Sequence, residues 1–535
     1  MNSNDIWYYS PRKGLPDKMY YGSNECYGKF TFGRWHEIRS HGHSASKTTS
    51  MIRFFFPTIA LILLAVSLPG CSRKKEPQPD VILLHSGRMR GNVYPLSLQN
   101  IAPLQHYQYL AGYIRAVRAE AEKSGARVFV MDLGDSLGGS FASHVTDSMN
   151  MVTFFNNAGY DAVMLSNLDA DVPAESISQI RAKVLNPFVG PDGTPTLPGT
   201  AAGARLEKGG LQIDVLANFY GDTDPKQNPG RFPAKFGSVS EGVRPVRDYA
   251  SVLTSLGSRP PGALTLLAWM KFESTDTPPE GFLEFLRKER VDAILAHRTY
   301  GANQREAWQA SGFVDWKPPV SANILRNNGG FVLARLDLAR DGAGWKVLRH
   351  ELVPMTANNA TADPLVVAGS DKFADPISRA DAVVACLPSP LSESQILRVY
   401  MSALAKVPGT QAVVYSPESI RSDWPAGDLR ASRVFNSLPW TSGLVQLTLT
   451  VADIQQLPAL SGIHVFLQPG LGDGPVVVTT SQFFASLICG KLRLPATAVT
   501  SLPQTSEFDF FADYLKSQNG ALPSQPPEGW EVLTP

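Results

Sequence analysis

Four apolar runs, each ending in a short polar loop, limit what this chain can fold into. They are Leu83-Leu84-His85-Ser86-Gly87-Arg88-Met89-Arg90-Gly91, Met131-Asp132-Leu133-Gly134-Asp135-Ser136, Gly159-Tyr160-Asp161-Ala162-Val163-Met164-Leu165-Ser166-Asn167-Leu168-Asp169 and Asp292-Ala293-Ile294-Leu295-Ala296-His297-Arg298. A run of this kind reads as a buried strand that delivers side chains to one edge of a sheet. Strands are expected at residues 81–85, 127–133, 162–166, 211–217, 263–269, 293–297 and 330–336. Between them, residues 108–124 and 145–158 place apolar residues at three- and four-residue spacing, the helical period. This alternation predicts a layered α/β domain over residues 81–353.

The rest of the chain reads as connection and a second unit. Residues 184–210 and 221–233 are crowded with Gly, Pro and Thr and are expected to be loops. A polar stretch at 356–363 marks a linker, placed over 354–375. A second α/β domain, 376–535, opens with an amphipathic helix at 392–405 and a strand at 412–415, and closes with a helix at 508–517. Gly470-Leu471-Gly472-Asp473-Gly474 has no helix pattern after it and reads as a turn rather than a dinucleotide loop.

Charge and the N-terminal region narrow the function classes. Forty-nine Lys and Arg against 48 Asp and Glu give a net charge of +1. That balance lacks the basic excess of a nucleic-acid polymer binder. Met51-Ile52-Arg53, an apolar stretch to Val66 and Leu68-Pro69-Gly70-Cys71 together read as a signal peptide, 51–71, too short for a membrane span. A cysteine directly after a small residue at that point resembles a bacterial lipobox, with Cys71 as the lipidated residue. Residues 72–80, charged and Pro-rich, suit a tether, and residues 1–50 ahead of the signal read as a mis-assigned start. The expected location is the bacterial cell envelope, lipid-anchored, at the outer membrane facing the periplasm. Cys386 and Cys489 could pair in such a compartment, but two residues decide nothing.

The blocks resemble the bifunctional metallophosphatase/5′-nucleotidase family, across nearly the whole mature chain. The resemblance implies a metallophosphoesterase α/β sandwich followed by a 5′-nucleotidase C-terminal domain. It also shows where this sequence departs from the family. The first block of the family, H-T-N-D-x-H-G, stands here as His85-Ser86-Gly87-Arg88-Met89-Arg90-Gly91. Arg88 and Arg90 thus replace an aspartate and a histidine that hold a metal, and a guanidinium carries five donors and no acceptor. Asp135 matches the bridging carboxylate. In Ser166-Asn167-Leu168-Asp169, Asn167 matches a ligand while Leu168 replaces the proton-donating histidine. Trp269 stands for another ligand, His297 is kept, and Thr299 replaces the last.

Three residues of a second metal site therefore persist by resemblance: Asp135, Asn167 and His297. With water they suffice for one zinc or manganese ion, or else they survive as hydrogen-bonding residues with no metal. Arg88 and Arg90 either supply positive charge in place of metals and clamp a phosphate, or turn outward to solvent. In the second domain, Arg421 matches the arginine of the family's N-G-G-x-I-R phosphate-binding loop. Trp440 and Phe483 stand where the family stacks a base, or else serve as core aromatics. The implied partners are a nucleotide or other phosphorylated small molecule, a membrane through the lipid anchor, and an envelope protein. Two readings stay open: a catalytically impaired ligand-binding relative, and a metal-dependent hydrolase of nucleotide phosphoesters using one retained ion.

Overall fold

The computed structural model describes residues 77–98, 107–166, 169, 172–221, 244–246, 248–272, 291–297, 332–342, 344–356, 360–416, 419–459, 463–494, 498–518, 522, 527 and 529–534. Residues 78–535 cluster as one compact unit.

The first half is a sandwich of two sheets. In one, Val81–Ser86, Arg127–Asp132, Ala162–Met164 and Lys183–Leu185 run parallel in that order. An antiparallel pair, Val332–Asp341 and Gly344–Pro354, extends the sheet on the far side of Val81–Ser86. In the other, Ala293–His297, Leu264–Phe272 and Leu211–Gly221 are parallel and Gly203–Lys208 is antiparallel. One apolar core joins them: Leu83, Phe129 and Val163 from the first sheet share it with Ile213, Leu266 and Leu295 from the second. Strands buried on both faces carry near-continuous apolar runs, which is why they stand out in the sequence.

The helix Tyr107–Ser124 buries Tyr107, Leu110, Ala111, Ile114, Val117 and Ala121, the expected stripe. The helix expected over 145–158 is instead two, Phe141–Val145 and Met149–Ala158. Asp147 and Ser148 between them take left-handed backbone, which ends one helix and starts the next. The expected loop at 184–210 is corrected too. It contains the strand Gly203–Lys208 and a two-residue strand, Phe188–Val189. Most of 221–233 lies outside the described residues.

In the second half six strands form one sheet, in the order Val499–Ser506, Gly443–Leu449, Val476–Ser481, Ala412–Tyr415, His464–Leu467, Glu531–Leu533. Helices Glu393–Leu404, Ala431–Ser437 and Glu507–Ser517 build a core against one face. Ser392 caps the first of them through a capping box with Gln395. Gly470 takes φ 72, as the expected turn requires.

The segment expected as a linker is ordered against the first half. Asp363 caps a helix, Pro364–Asp371, by accepting from the N–H of Leu365 and Val366, and it pairs with Arg115. Gly112 lies so close to Thr361 O that a Cβ would stand 1.7 Å from it. The halves also share a core: Tyr94, Phe141 and Ala142 belong to the apolar cluster of the second half. The Phe141 ring lies 6.1 Å from Phe435 and 6.2 Å from Phe508, and His144 Nε2 is 3.2 Å from Asp509 Oδ1. Cys386 and Cys489 are free.

Candidate functional site

Parallel pairing of Val81–Ser86 with Arg127–Asp132 makes the segments that follow them leave the same sheet edge. Main-chain hydrogen bonds zip those segments together: Arg88 N to Gly134 O (2.9 Å), Arg90 N to Asp135 O (3.1 Å) and Gly91 N to Ser136 O (2.8 Å). Met89 between the arginines is fully buried. Arg88 and Arg90 both turn to Asp135, with Nε 3.3 and 3.4 Å from the same oxygen, Oδ2. The outward-pointing alternative for these side chains is thereby excluded.

Two further carboxylates hold the loop that carries Asp135. Asp169 accepts from the N–H of Asp135, Ser136, Leu137 and Ser166 and from Ser166 Oγ. Asp132 accepts from Ser86 Oγ, Ser136 Oγ and Gly134 N–H. Burial lifts Asp132 to about 7 against those donors. Burial, and then the charge of Asp135, lift Asp169 to about 6. Ser86, Asp132 and Ser136 escaped sequence reasoning; their only signal was a place at strand ends.

The backbone is strained at the same spot. Arg88 (φ 56), Arg90 (φ 48) and Asp135 (φ 55) all sit in the left-handed region. Each costs roughly 1–2 kcal/mol, so the surrounding hydrogen bonds must hold them there.

A third guanidinium comes from the second half. Arg421 follows Ala412–Tyr415, and its N–H donates to Ser437 O at 3.0 Å. Its guanidinium carbon stands 4.8 Å from the Trp440 ring centroid. Burial first, and then the charge of Arg90, push Arg421 down to about 9, with Asp135 acting in the opposite direction. Trp440 and Phe483 lie nearly parallel, 7° apart, with centroids at 6.3 Å. Phe483 is 46% exposed.

The residues present do not fit a dinuclear metal centre. Guanidiniums stand at two positions that the resemblance assigns to metal ligands, and both point at Asp135. Trp269, at another, is buried in a core with Leu267 and Ile294. Among the described residues no three or more His, Cys, Asp or Glu side chains are grouped to hold an ion. Asp135 Oδ1 is buried with no hydrogen bond among the described residues. His297 ends its strand beside Met270 of the neighbouring strand. Asn167, Leu168, Thr299 and Cys71 lie outside the described residues. No described helix is long and apolar enough to cross a membrane.

No family model matches the sequence, and no curated protein matches it. Solved structures do. A 5′-nucleotidase precursor from Thermus thermophilus superposes with a TM-score of 0.54 at 16% identity, covering 82% of this chain and 96% of that one. A 5′-nucleotidase from Candida albicans gives a TM-score of 0.53 at 10% identity, covering 83% and 99%. The chain has the 5′-nucleotidase fold. Its mixed α/β sheets are those of two-domain 5′-nucleotidases with a metallophosphoesterase domain. Sulfate thiohydrolase SoxB from Thermus thermophilus shares the arrangement, with a TM-score of 0.52 at 15% identity over 83% and 95%. The 5′-nucleotidase fold therefore carries more than one chemistry, and activity must be argued from the site.

Proposed function

We propose that this chain is an exported, lipid-anchored protein of the 5′-nucleotidase fold that binds a nucleotide or other phosphorylated ligand and has lost most hydrolytic capacity. The observation that carries this reading is the convergence of Arg88 and Arg90 on Asp135, with Arg421 in the same electrostatic cluster. Guanidiniums match the oxygens of a phosphate group and need no metal to hold it. The parallel pair Trp440 and Phe483 supports a stacked base at the other end of the ligand. Leu168, at the family's proton-donor position, has no proton to give a leaving group. The signal-like run to Cys71 supports an envelope location with the lipid on that cysteine.

One observation favours a second reading. Asp135 Oδ1, buried with no hydrogen bond among the described residues, is an acceptor suited to a single divalent ion, for which the resemblance implies Asn167 and His297 as the other ligands. One experiment separates the two. The purified protein is assayed for bound metal, for phosphate and AMP affinity, and for phosphoester hydrolysis with manganese, zinc and cobalt. The binding reading expects no tightly held metal and a roughly tenfold loss of phosphate affinity in Arg88→Ala, the size of one charged hydrogen bond. Metal-dependent turnover abolished by Asp135→Ala establishes the hydrolase and overturns the binding reading.

A further inference from the structure

The second half encloses a carboxyl group that the binding reading does not use. Glu507 is 3% exposed. The hydroxyls of Tyr400 and Tyr415 donate to its Oε2 at 2.9 and 2.8 Å, and Ser442 Oγ donates to Oε1. Its own N–H donates to Ser442 O at 2.9 Å.

The origin of these donors is the informative part. Tyr415 is the last residue of Ala412–Tyr415, the strand that precedes Arg421 in the chain. Ser442 lies two residues after Trp440. Ser481 caps the helix Gln482–Leu492, and Phe483 is the second residue of that helix. The segments that lead to Arg421 and Trp440 are thus tied to one carboxyl. The segment of Phe483 joins them through ring contacts: Tyr415 lies 4.8 Å from Phe484, which lies 5.3 Å from Phe483.

We propose that Glu507 is the positioning residue of the nucleotide site, one buried acceptor that keeps Arg421, Trp440 and Phe483 in mutual register. The proposal rests on the nucleotide-binding reading above. A carboxyl group suits the task because its two oxygens can take several donors at once. Glutamine would set its own N–H donors against hydroxyls already oriented to donate. Burial pushes the Glu507 acid up to about 7 while the hydroxyl donors pull it down, so the group depends on these partners. A network that merely stabilised the fold would leave the relative affinities of phosphate and nucleotide unchanged.

The test uses full-length protein carrying Glu507→Gln, Tyr415→Phe or Ser442→Ala. Calorimetric titration compares inorganic phosphate with AMP, and hydrogen exchange reports residues 419–421, 438–442 and 481–484. Glu507→Gln is expected to lose most of the advantage of AMP over phosphate, about tenfold for a stacked base. It is also expected to speed exchange in all three segments together, leaving 86–91 and 133–137 unchanged. Tyr415→Phe and Ser442→Ala loosen mainly their own segments, and they serve if Glu507→Gln does not fold. Equal losses for phosphate and AMP, or uniform exchange across the protein, overturn the proposal. Wild type that binds AMP no better than phosphate overturns the nucleotide reading alone; joint loosening of the three segments then still decides whether Glu507 positions them.

Discussion

Removing the guanidiniums from Asp135 tests the site at its centre. Arg88 and Arg90 approach Oδ2 at 3.3 and 3.4 Å and are 22% and 31% exposed. Tight charged pairs are shorter, about 2.7–2.9 Å. Discounted for length and solvent, each contact contributes about 1 kcal/mol, and either arginine partly covers for the other. Losing both strands a carboxylate that is only 2% exposed. That costs about 3–5 kcal/mol, well over twice the single loss. The backbone adds a term of opposite sign. Left-handed φ costs a residue with a Cβ roughly 1–2 kcal/mol. Glycine escapes this and forfeits about 0.5–1 kcal/mol in chain entropy. Arg88→Gly should therefore be more stable than Arg88→Ala by about 0.5–1 kcal/mol, the reverse of the usual order. The assay is denaturant unfolding of the full-length variants, compared at unchanged slope. Glycine variants no better than alanine variants, or a double alanine no worse than the sum of the singles, would refute the reasoning.

Three further outcomes are expected. Gly91→Ala places a Cβ 2.3 Å from Ser143 Oγ at φ 69, and should cost about 2–4 kcal/mol in the same unfolding assay. Glu507 has its folded pKa raised from 4.5 to about 7, so the folded state holds a proton that the unfolded state has released. Its contribution is complete below pH 4.5 and is lost as pH rises towards 7, at about 1 kcal/mol per pH unit, and Glu507→Gln should flatten that slope. Because Tyr94, Phe141 and Ala142 sit in the core of the second half, calorimetry should show one unfolding transition for 78–535. Phe141→Ala should cost about 3–5 kcal/mol and lower that single transition rather than split it.

The sequence made some elements plain and concealed others for physical reasons. Strand residues such as 128–132 and 293–295 are buried on both faces, so an apolar run bounded by polar residues was enough to find them. The break between Phe141–Val145 and Met149–Ala158 was hidden because Asp147 and Ser148 do not interrupt the apolar period. Phe188–Val189 is too short to show a period, and Gly and Pro around it masked its neighbours. The resemblance put Arg88, Arg90 and Asp135 near one another, but not both guanidiniums on one oxygen. That depends on left-handed backbone, which arginine does nothing to announce. Nothing in the sequence marks Glu507, because its three hydroxyl partners are far away in sequence.

The left-handed turns at 88 and 90 say something about reversibility. Among residues with a side chain, Asn, Asp and His enter this backbone region several-fold more readily than most others. Aspartate and histidine are the residues that the resembling family carries at these two places. The main chain at these two places thus has a shape that suits aspartate or histidine better than the arginines present. Arg88→Asp with Arg90→His would meet a backbone already set for it. The chemistry of this loop can therefore be exchanged without recasting its backbone.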